Sequence, residues 1–354
     1  MVDSRRHVIE LPKRVIVGYG VIEELPRHIV ELGLGSSVLV LTGPTATRKW
    51  GSIVRSLLED RGLEVQVEEV RSPTLAEVER IIGSVDKRYE VIVGVGGGKV
   101  LDVAKCIALR MESKLVTVPT TPSHDGIASP FASIKGFDRP TSVRTVMPAL
   151  VVADIDIISS APRRHILAGY GDLLGKLTAV LDWKLAHRLR GEYYGEYAAS
   201  LALLSAKHVM RMHEAFSKNR IPKEAVRNLV EALISSGVAM GIAGSTRPAS
   251  GSEHMFAHAL DIVANYPALH GEEVALGTIM MLYLHGKNWK KVRNIMKSVG
   301  LPTTARELGV SSDKIVEALT KAHSIRPERY TILGEKGLTW EAAERLARVT
   351  GVIE

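Results

Sequence analysis

At 354 residues the chain is longer than one small core requires, so two domains are expected. With 45% hydrophobic and 24% charged residues it reads as globular rather than disordered, and its longest nearly uninterrupted apolar run, residues 274–284, is far too short to span a bilayer. The net charge of +7 admits a nucleic-acid partner, but the basic residues are scattered and aromatics are only 5%; an anionic small substrate or an ordinary basic surface explains the charge as well, and neither a nucleic-acid nor an integral-membrane role is expected.

In chain order, the amino-terminal MVDSRRHVIELPKR has basic residues but no apolar segment after them and no small-residue cleavage site. It does not read as a secretory signal, and a cytoplasmic location is expected. Strands are predicted at residues 38–41 (VLVL), 65–70 (VQVEEV), 91–95 (VIVGV), 115–118 (LVTV) and 151–155 (VVADI), with amphipathic helices at 46–61 and 75–87. That alternation predicts an α/β domain over residues 1–160, its parallel sheet buried on both faces and its ligands beyond the carboxyl ends of the strands.

Beyond residue 160 only helical patterns remain, at 198–216, 223–238, 273–285, 312–323 and 340–349, so residues 161–354 are expected to form an all-α domain. Residues 241–251 (GIAGSTRPASG) read as a loop, and a site is expected between the two halves. Cys106 is the only cysteine, which excludes an internal disulfide and a thiolate cluster.

Four motifs carry chemistry. GVGGGKVLDVAK, residues 94–105, follows a strand and opens a helix, where backbone amides at a helix start hold phosphate; a tight turn needing glycine dihedrals is the plainer alternative. PTTPSHDGIASP, residues 119–130, presents hydroxyls and Asp125 to a polar ligand. Near the end of the first interior strand, Gly43 brings no acid to repel a 2'-phosphate, so if a dinucleotide binds here NAD and NADP should both be tolerated.

In SEHMFAHALD, residues 252–261, His254 and His258 share a helix face, yet the glutamate that follows the first histidine in zinc proteases is missing. One aspartate with two histidines makes a sensible catalytic zinc site, and Asp172 in GYGDLLGK supplies a carboxylate with glycine room around it. Spacing alone leaves open which histidines bind.

GGGKVLDVAK, PTTPSHDGIASP, GDLLGK, GSEHMFAHALD and LHGEEVALG together resemble the archaeal-type sn-glycerol-1-phosphate dehydrogenases, of the superfamily of glycerol dehydrogenase, iron-containing alcohol dehydrogenases and dehydroquinate synthase. The resemblance runs through most of the chain. It implies a dehydroquinate synthase-like fold, Zn2+ and NAD(P)H as cofactors, and reduction of dihydroxyacetone phosphate to the glycerol phosphate that begins ether-lipid synthesis. By the same matching Asp172, His254 and His270 become the metal ligands. His258, Asp125 and Asp172 lie at the substrate, and Gly97, Gly98, Lys99, Val100, Leu101, Asp102, Thr120, Thr121, Pro122, Ser123 and Ser129 at the cofactor.

The substrate phosphate needs donors, for which Lys176, Lys184, Arg163 and Arg247 are candidates by proximity to motifs. A homo-oligomer is expected from apolar helix faces. A glycerol dehydrogenase acting on unphosphorylated dihydroxyacetone and a sugar-phosphate cyclase resembling dehydroquinate synthase stay open as alternatives.

Overall fold

β-Branched and aliphatic runs form the sheet. The computed structural model describes residues 7–136 and 141–354, so the first six residues of the stretch read for a secretory signal lie outside the described residues. The strands are β1 (Arg14–Gly18), β2 (Ser37–Thr42), β3 (Glu64–Glu69), β4 (Val91–Gly96), β5 (Lys114–Pro119), β6 (Phe131–Ile134), β7 (Thr141–Arg144) and β8 (Leu150–Asp154). Six pair in parallel in the order β1-β8-β5-β4-β2-β3, while β6 and β7 form a separate antiparallel pair.

Alternation along each strand divides the core. Val38, Val40, Val91 and Val93 pack with Leu25, Ile29, Val54 and Leu58 on one face, whereas Leu39, Leu41 and Ile92 pack with Val78, Ile81, Val103 and Ile107 on the other. Every position of β4 and β8 is buried, as a sheet covered on both faces requires. The chain runs from β2 outward to β3 and then returns to place β4 on the opposite side of β2, so the strand order reverses between β2 and β4. Ligands of open parallel sheets gather at such a reversal, and here Gly43 follows β2 and Gly97 follows β4.

Two compact units emerge. The first holds residues 1–121, 126–161 and 240–245; the second holds 122–125, 162–239 and 246–354. A single boundary after residue 160 therefore does not describe the chain: residues 122–125 group with the second unit, and 240–245 with the first. Residues 241–243, expected in a loop, end the helix Lys223–Ala243 instead. Gly241 is a packing glycine there, since a Cβ on it would meet Met147 Cε at 2.3 Å.

The second unit has no strand among the described residues, and its main helices are Arg163–Leu174, Lys176–Arg190, Glu196–Arg211, Ser252–Ala264, His270–Leu284 and Ser312–Ile325. The helical segment expected at 198–216 breaks at Met212 into two helices. One helix, Lys223–Ala243, is long and apolar enough to cross a membrane by length and composition, although no single apolar run showed it; 61% of its most apolar window is buried inside the protein.

Candidate active site

Glycines bring the reactive helices together. A Cβ on Gly271 would lie 1.8 Å from the Ala168 carbonyl oxygen, and one on Gly171 2.3 Å from that of Gly271, so only glycine lets Arg163–Leu174 and His270–Leu284 approach this closely. Gly169 gives way in the same manner to the Pro122 carbonyl, at 1.7 Å. The glycines around Asp172 therefore make room for neighbouring backbone, which carries Asp172 up to His270. The third element, Ser252–Ala264, is anchored by the fully buried Asp182, whose Oδ2 accepts from Ser252 N at 2.7 Å and Ser252 Oγ at 2.6 Å.

Asp172, His254 and His270 converge, with ligand atoms within 4.8 Å of one another. Asp172 divides its oxygens. Oδ2 accepts from Lys176 Nζ and from Asp125 N, both at 3.2 Å, while Oδ1 faces His254 Nε2 at 3.4 Å. On the far side of the imidazole, His254 Nδ1 lies 2.8 Å from Glu253 Oε1, and Glu253 also accepts from Gly251 N at 2.6 Å and Thr178 Oγ1 at 2.6 Å.

A carboxylate behind a histidine fixes the tautomer that offers Nε2 to a metal, so this donor set suits zinc: two imidazoles and one carboxylate. Burial works against charge at all three. It would raise the Asp172 carboxyl, but Lys176 and His254 reverse this and hold it far below its usual range. Burial opposes a charged His254 as well, and its bonds to Asp172 and Glu253 outweigh that and raise it. His270, buried beside His254 and His258, is held well below the usual imidazole value.

His258 lies next to the triad, its ring 5.3 Å from that of His270 and nearly parallel to it. Burial lowers its pKa and keeps it neutral near pH 7, and its Nδ1 stands 3.7 Å from Asp261 Oδ2. His258, Asp261 and His270 form a second possible donor group. The first is better supported, because Asp172 is neutralised by Lys176 and His254 is backed by Glu253. Asp125 is tied into the same network through Lys176 Nζ at 2.9 Å and Ser236 Oγ at 2.8 Å.

Lys176 thus bridges two carboxylates in a fully buried position, which removes it as a phosphate donor; burial disfavours its charge, and Asp125 and Asp172 more than restore it. Arg163 gives Nη2 to the Phe216 and Val299 carbonyls, while its buried Nη1 has no hydrogen-bond partner among the described residues, and Lys184 is exposed. Glu253, the buried partner of His254, escaped sequence reasoning; its place directly before the first histidine was the only available sign.

In the first unit, the glycine loop closes the end of β4. None of Gly94, Gly96, Gly97 and Gly98 adopts a positive φ, so the alternative of a turn needing glycine dihedrals does not describe it. A Cβ on Gly94 would meet Ala104 Cβ at 2.9 Å, one on Gly96 would meet Val100 Cγ2 at 2.6 Å, and one on Gly97 would reach Thr121 Oγ1 at 2.8 Å. Close packing is the reason for glycine. Behind Gly97 the helix Gly98–Arg110 presents its amino end, the polarity that favours a pyrophosphate.

Thr120 Oγ1, at the end of the neighbouring β5, is buried without a hydrogen-bond partner, as a group awaiting a ligand would be. Other residues matched to the cofactor have contacts within the protein as well. Val100 and Leu101 are buried and offer only backbone, and Lys99 Nζ donates to the Arg71 carbonyl at 3.1 Å. Asp102 binds Lys105 at 3.1 Å and the Ser133 amide at 3.1 Å, with the buried Ser129 hydroxyl 3.5 Å from the same ammonium. Thr121 is half-buried; Pro122 and Ser123 belong to the second unit with Asp125. Burial pushes the Cys106 thiol up to about 11, so it is inert.

The chain is 60% identical over 350 residues to a protein from Hyperthermus butylicus named glycerol-1-phosphate dehydrogenase [NAD(P)+], covering 98% of this chain and 99% of the other. The chain belongs to the glycerol-1-phosphate dehydrogenase family. A relative of the same name from Sulfurisphaera tokodaii is 53% identical, with 99% and 100% covered. The family model for iron-containing alcohol dehydrogenase matches residues 16–162.

Among solved structures, a probable glycerol dehydrogenase from Sinorhizobium meliloti has a TM-score of 0.79 at 24% identity, covering 99% of this chain and 100% of that one. Glycerol dehydrogenase from Schizosaccharomyces pombe has 0.80 at 21%, covering 98% and 90%. At these identities the likeness concerns the fold, which this glycerol-1-phosphate dehydrogenase family member shares with glycerol dehydrogenases.

Proposed function

We propose that this chain reduces dihydroxyacetone phosphate to sn-glycerol 1-phosphate with NADH or NADPH, the step that begins an ether-lipid backbone. The full-length identity to glycerol-1-phosphate dehydrogenases, joined to a buried Asp-His-His donor triad, supports this reading. Asp172, His254 and His270 hold zinc, and the Gly97–Gly98 amides with Thr120 hold the nicotinamide cofactor. When bound, zinc polarises the substrate carbonyl and the nicotinamide supplies hydride to its carbon.

The residues of the chain do the positioning. Glu253 orients His254; Lys176 pairs with both Asp125 and Asp172 in a buried place; His258 offers a neutral imidazole to hydrogen-bond a substrate hydroxyl. The overall change consumes one proton with the hydride, giving alcohol and oxidised cofactor. We place the enzyme in the cytoplasm and propose a homo-oligomer, the latter supported by exposed Leu189, Tyr193, Tyr197 and Leu204.

The test is NADPH oxidation by zinc-loaded protein with dihydroxyacetone phosphate, beside dihydroxyacetone and after chelation. A fast, phosphate-dependent, chelator-sensitive rate is expected. Oxidation with neither ketone would reject the reading.

A further inference from the structure

The second unit encloses a cavity that the proposed reaction does not use. It holds about 760 Å³ and opens between the helices Lys176–Arg190, Glu196–Arg211 and Trp289–Val299. Leu177, Val180, Leu203, Met210, Val292 and Ile295 form its wall, and none of Asp172, His254 and His270 lines it. The volume falls within the roughly 300–1,000 Å³ of small-molecule sites, and an apolar wall of this kind suits a hydrocarbon chain.

The rim has the opposite character. Lys207, Arg211, Lys287 and Lys291 stand around it with their side chains exposed. None of these cations forms an ion pair among the described residues. His213, Asn288, Lys291 and Ile295 also line a neighbouring cavity of about 510 Å³, to which Lys290 and Asn294 belong as well. Among the described residues lining the two cavities there is no Asp or Glu. Asn288 caps the helix Trp289–Val299, its Oδ1 accepting from Lys291 N at 3.1 Å, so the amino end of that helix, the polarity that favours anions, opens at the same rim.

An apolar cavity beside a basic one fits a ligand that is itself divided into a chain and an anionic head. A second copy of this chain is a poor occupant, because the chain carries a net charge of +7 and would set cations against cations. A membrane surface is a poor one too: Val180, Val292 and Ile295 are buried, and Leu177, Leu203 and Met210 are half-buried, so the apolar residues are recessed instead of displayed. Compact ammonium groups together with a helix amino end suit a phosphate head.

We propose that this cavity binds a free amphiphile with one long hydrocarbon chain ended by a phosphate group, the chain lying along Leu203 and Ile295 and the head held by Lys207, Arg211 and Lys291. Such a ligand differs from dihydroxyacetone phosphate, which has no hydrocarbon chain. The inference stands or falls independently of the proposed reduction, because its test reads binding alone.

The probe is dodecyl phosphate below its micelle-forming concentration, titrated calorimetrically into the whole chain beside octyl phosphate, dodecyltrimethylammonium and inorganic phosphate. One dodecyl phosphate per chain is expected to bind. Burying a methylene is worth roughly fourfold in affinity, so octyl phosphate should bind at least about 10-fold more weakly. Inorganic phosphate, lacking the chain, and dodecyltrimethylammonium, with the wrong charge, should fall short by at least about 10-fold as well. Lys291→Glu reverses a charge at the rim and Leu203→Trp fills the place of the chain; each should weaken dodecyl phosphate about 10-fold or more. Lys291 is exposed, so its variant decides the matter if the tryptophan variant does not fold.

Equal affinity for dodecyl phosphate and dodecyltrimethylammonium overturns the inference by leaving only apolar adsorption. Affinity unchanged in both variants overturns it by placing the ligand elsewhere. A wild type that binds no dodecyl phosphate overturns it as well: a change of oligomeric state in Leu203→Trp then assigns the cavity to a second copy, and co-sedimentation with phosphatidylglycerol vesicles that is lost in Lys291→Glu assigns it to a membrane surface.

Discussion

Two oxygens of one carboxylate have separate duties at Asp172: Oδ2 answers Lys176 and the Asp125 amide, and Oδ1 turns toward His254. The proposed roles separate the histidines in the same way. His254→Ala removes a donor and should cost both zinc and activity, whereas His258→Ala should keep most of the zinc and lose turnover; metal content and steady-state rates on the purified variants check this. Wild-type zinc in His254→Ala would sink the ligand assignment. Glu253→Gln sets an amide against His254 Nδ1, and competition with a chelator should show zinc affinity lowered roughly 10- to 100-fold. Unaltered affinity would mean that Glu253 serves only Gly251 and Thr178.

Between helices, the decisive contact is Gly171 against Gly271. Gly271→Ala drives a methyl into the Ala168 carbonyl, which is backbone with nowhere to go, and should cost at least about 3 kcal/mol, read as a shift of the urea midpoint together with loss of zinc. An unchanged midpoint would show that the two helices separate easily. In the first unit, the helix Leu75–Ser84 is fastened by Glu77, which accepts from the Arg71 amide at 2.9 Å and pairs with Arg80.

The bond to Arg80, against the cost of burial, holds the Glu77 carboxyl below its ordinary value of 4.5. A lowered carboxyl stabilises the fold fully above that ordinary value and loses its contribution as pH falls through the lower folded value. Glu77→Gln should therefore be weaker than wild type by about 1–2 kcal/mol at pH 7, and denaturation curves of the two should converge in acid. A gap that persists or widens in acid would contradict this.

Central strands were legible because β-branched runs such as VIVGV are buried on both faces, whatever surrounds them. β1, β6 and β7 were not. β1 is a five-residue edge strand, half-buried along most of its length, and β6 and β7 are four residues each, too short to show a period.

For the whole molecule, metal held at the proposed triad would be linked to stability, since the three donors come from three helices that only the folded chain assembles. Each tenfold excess of zinc over its dissociation constant should add about 1.4 kcal/mol, so saturating zinc should raise the thermal midpoint over chelated protein. His258→Ala should keep that rise and His254→Ala lose it. Equal midpoints with and without zinc in wild type would remove the triad as a metal site.

The sequence by itself determined the parallel sheet and the switch to helices, because strand burial and helical period are properties of neighbouring residues; the triad was named only through the resemblance, since spacing leaves open which histidines bind. Only the tertiary structure decided the rest: that Lys176 answers two carboxylates instead of a phosphate, that Glu253 stands behind His254, and that Arg326 and Arg329 share Thr246 from 80 and 83 residues away. Charges are paired by distance in space, and a linear order carries no measure of that distance until the helices have packed.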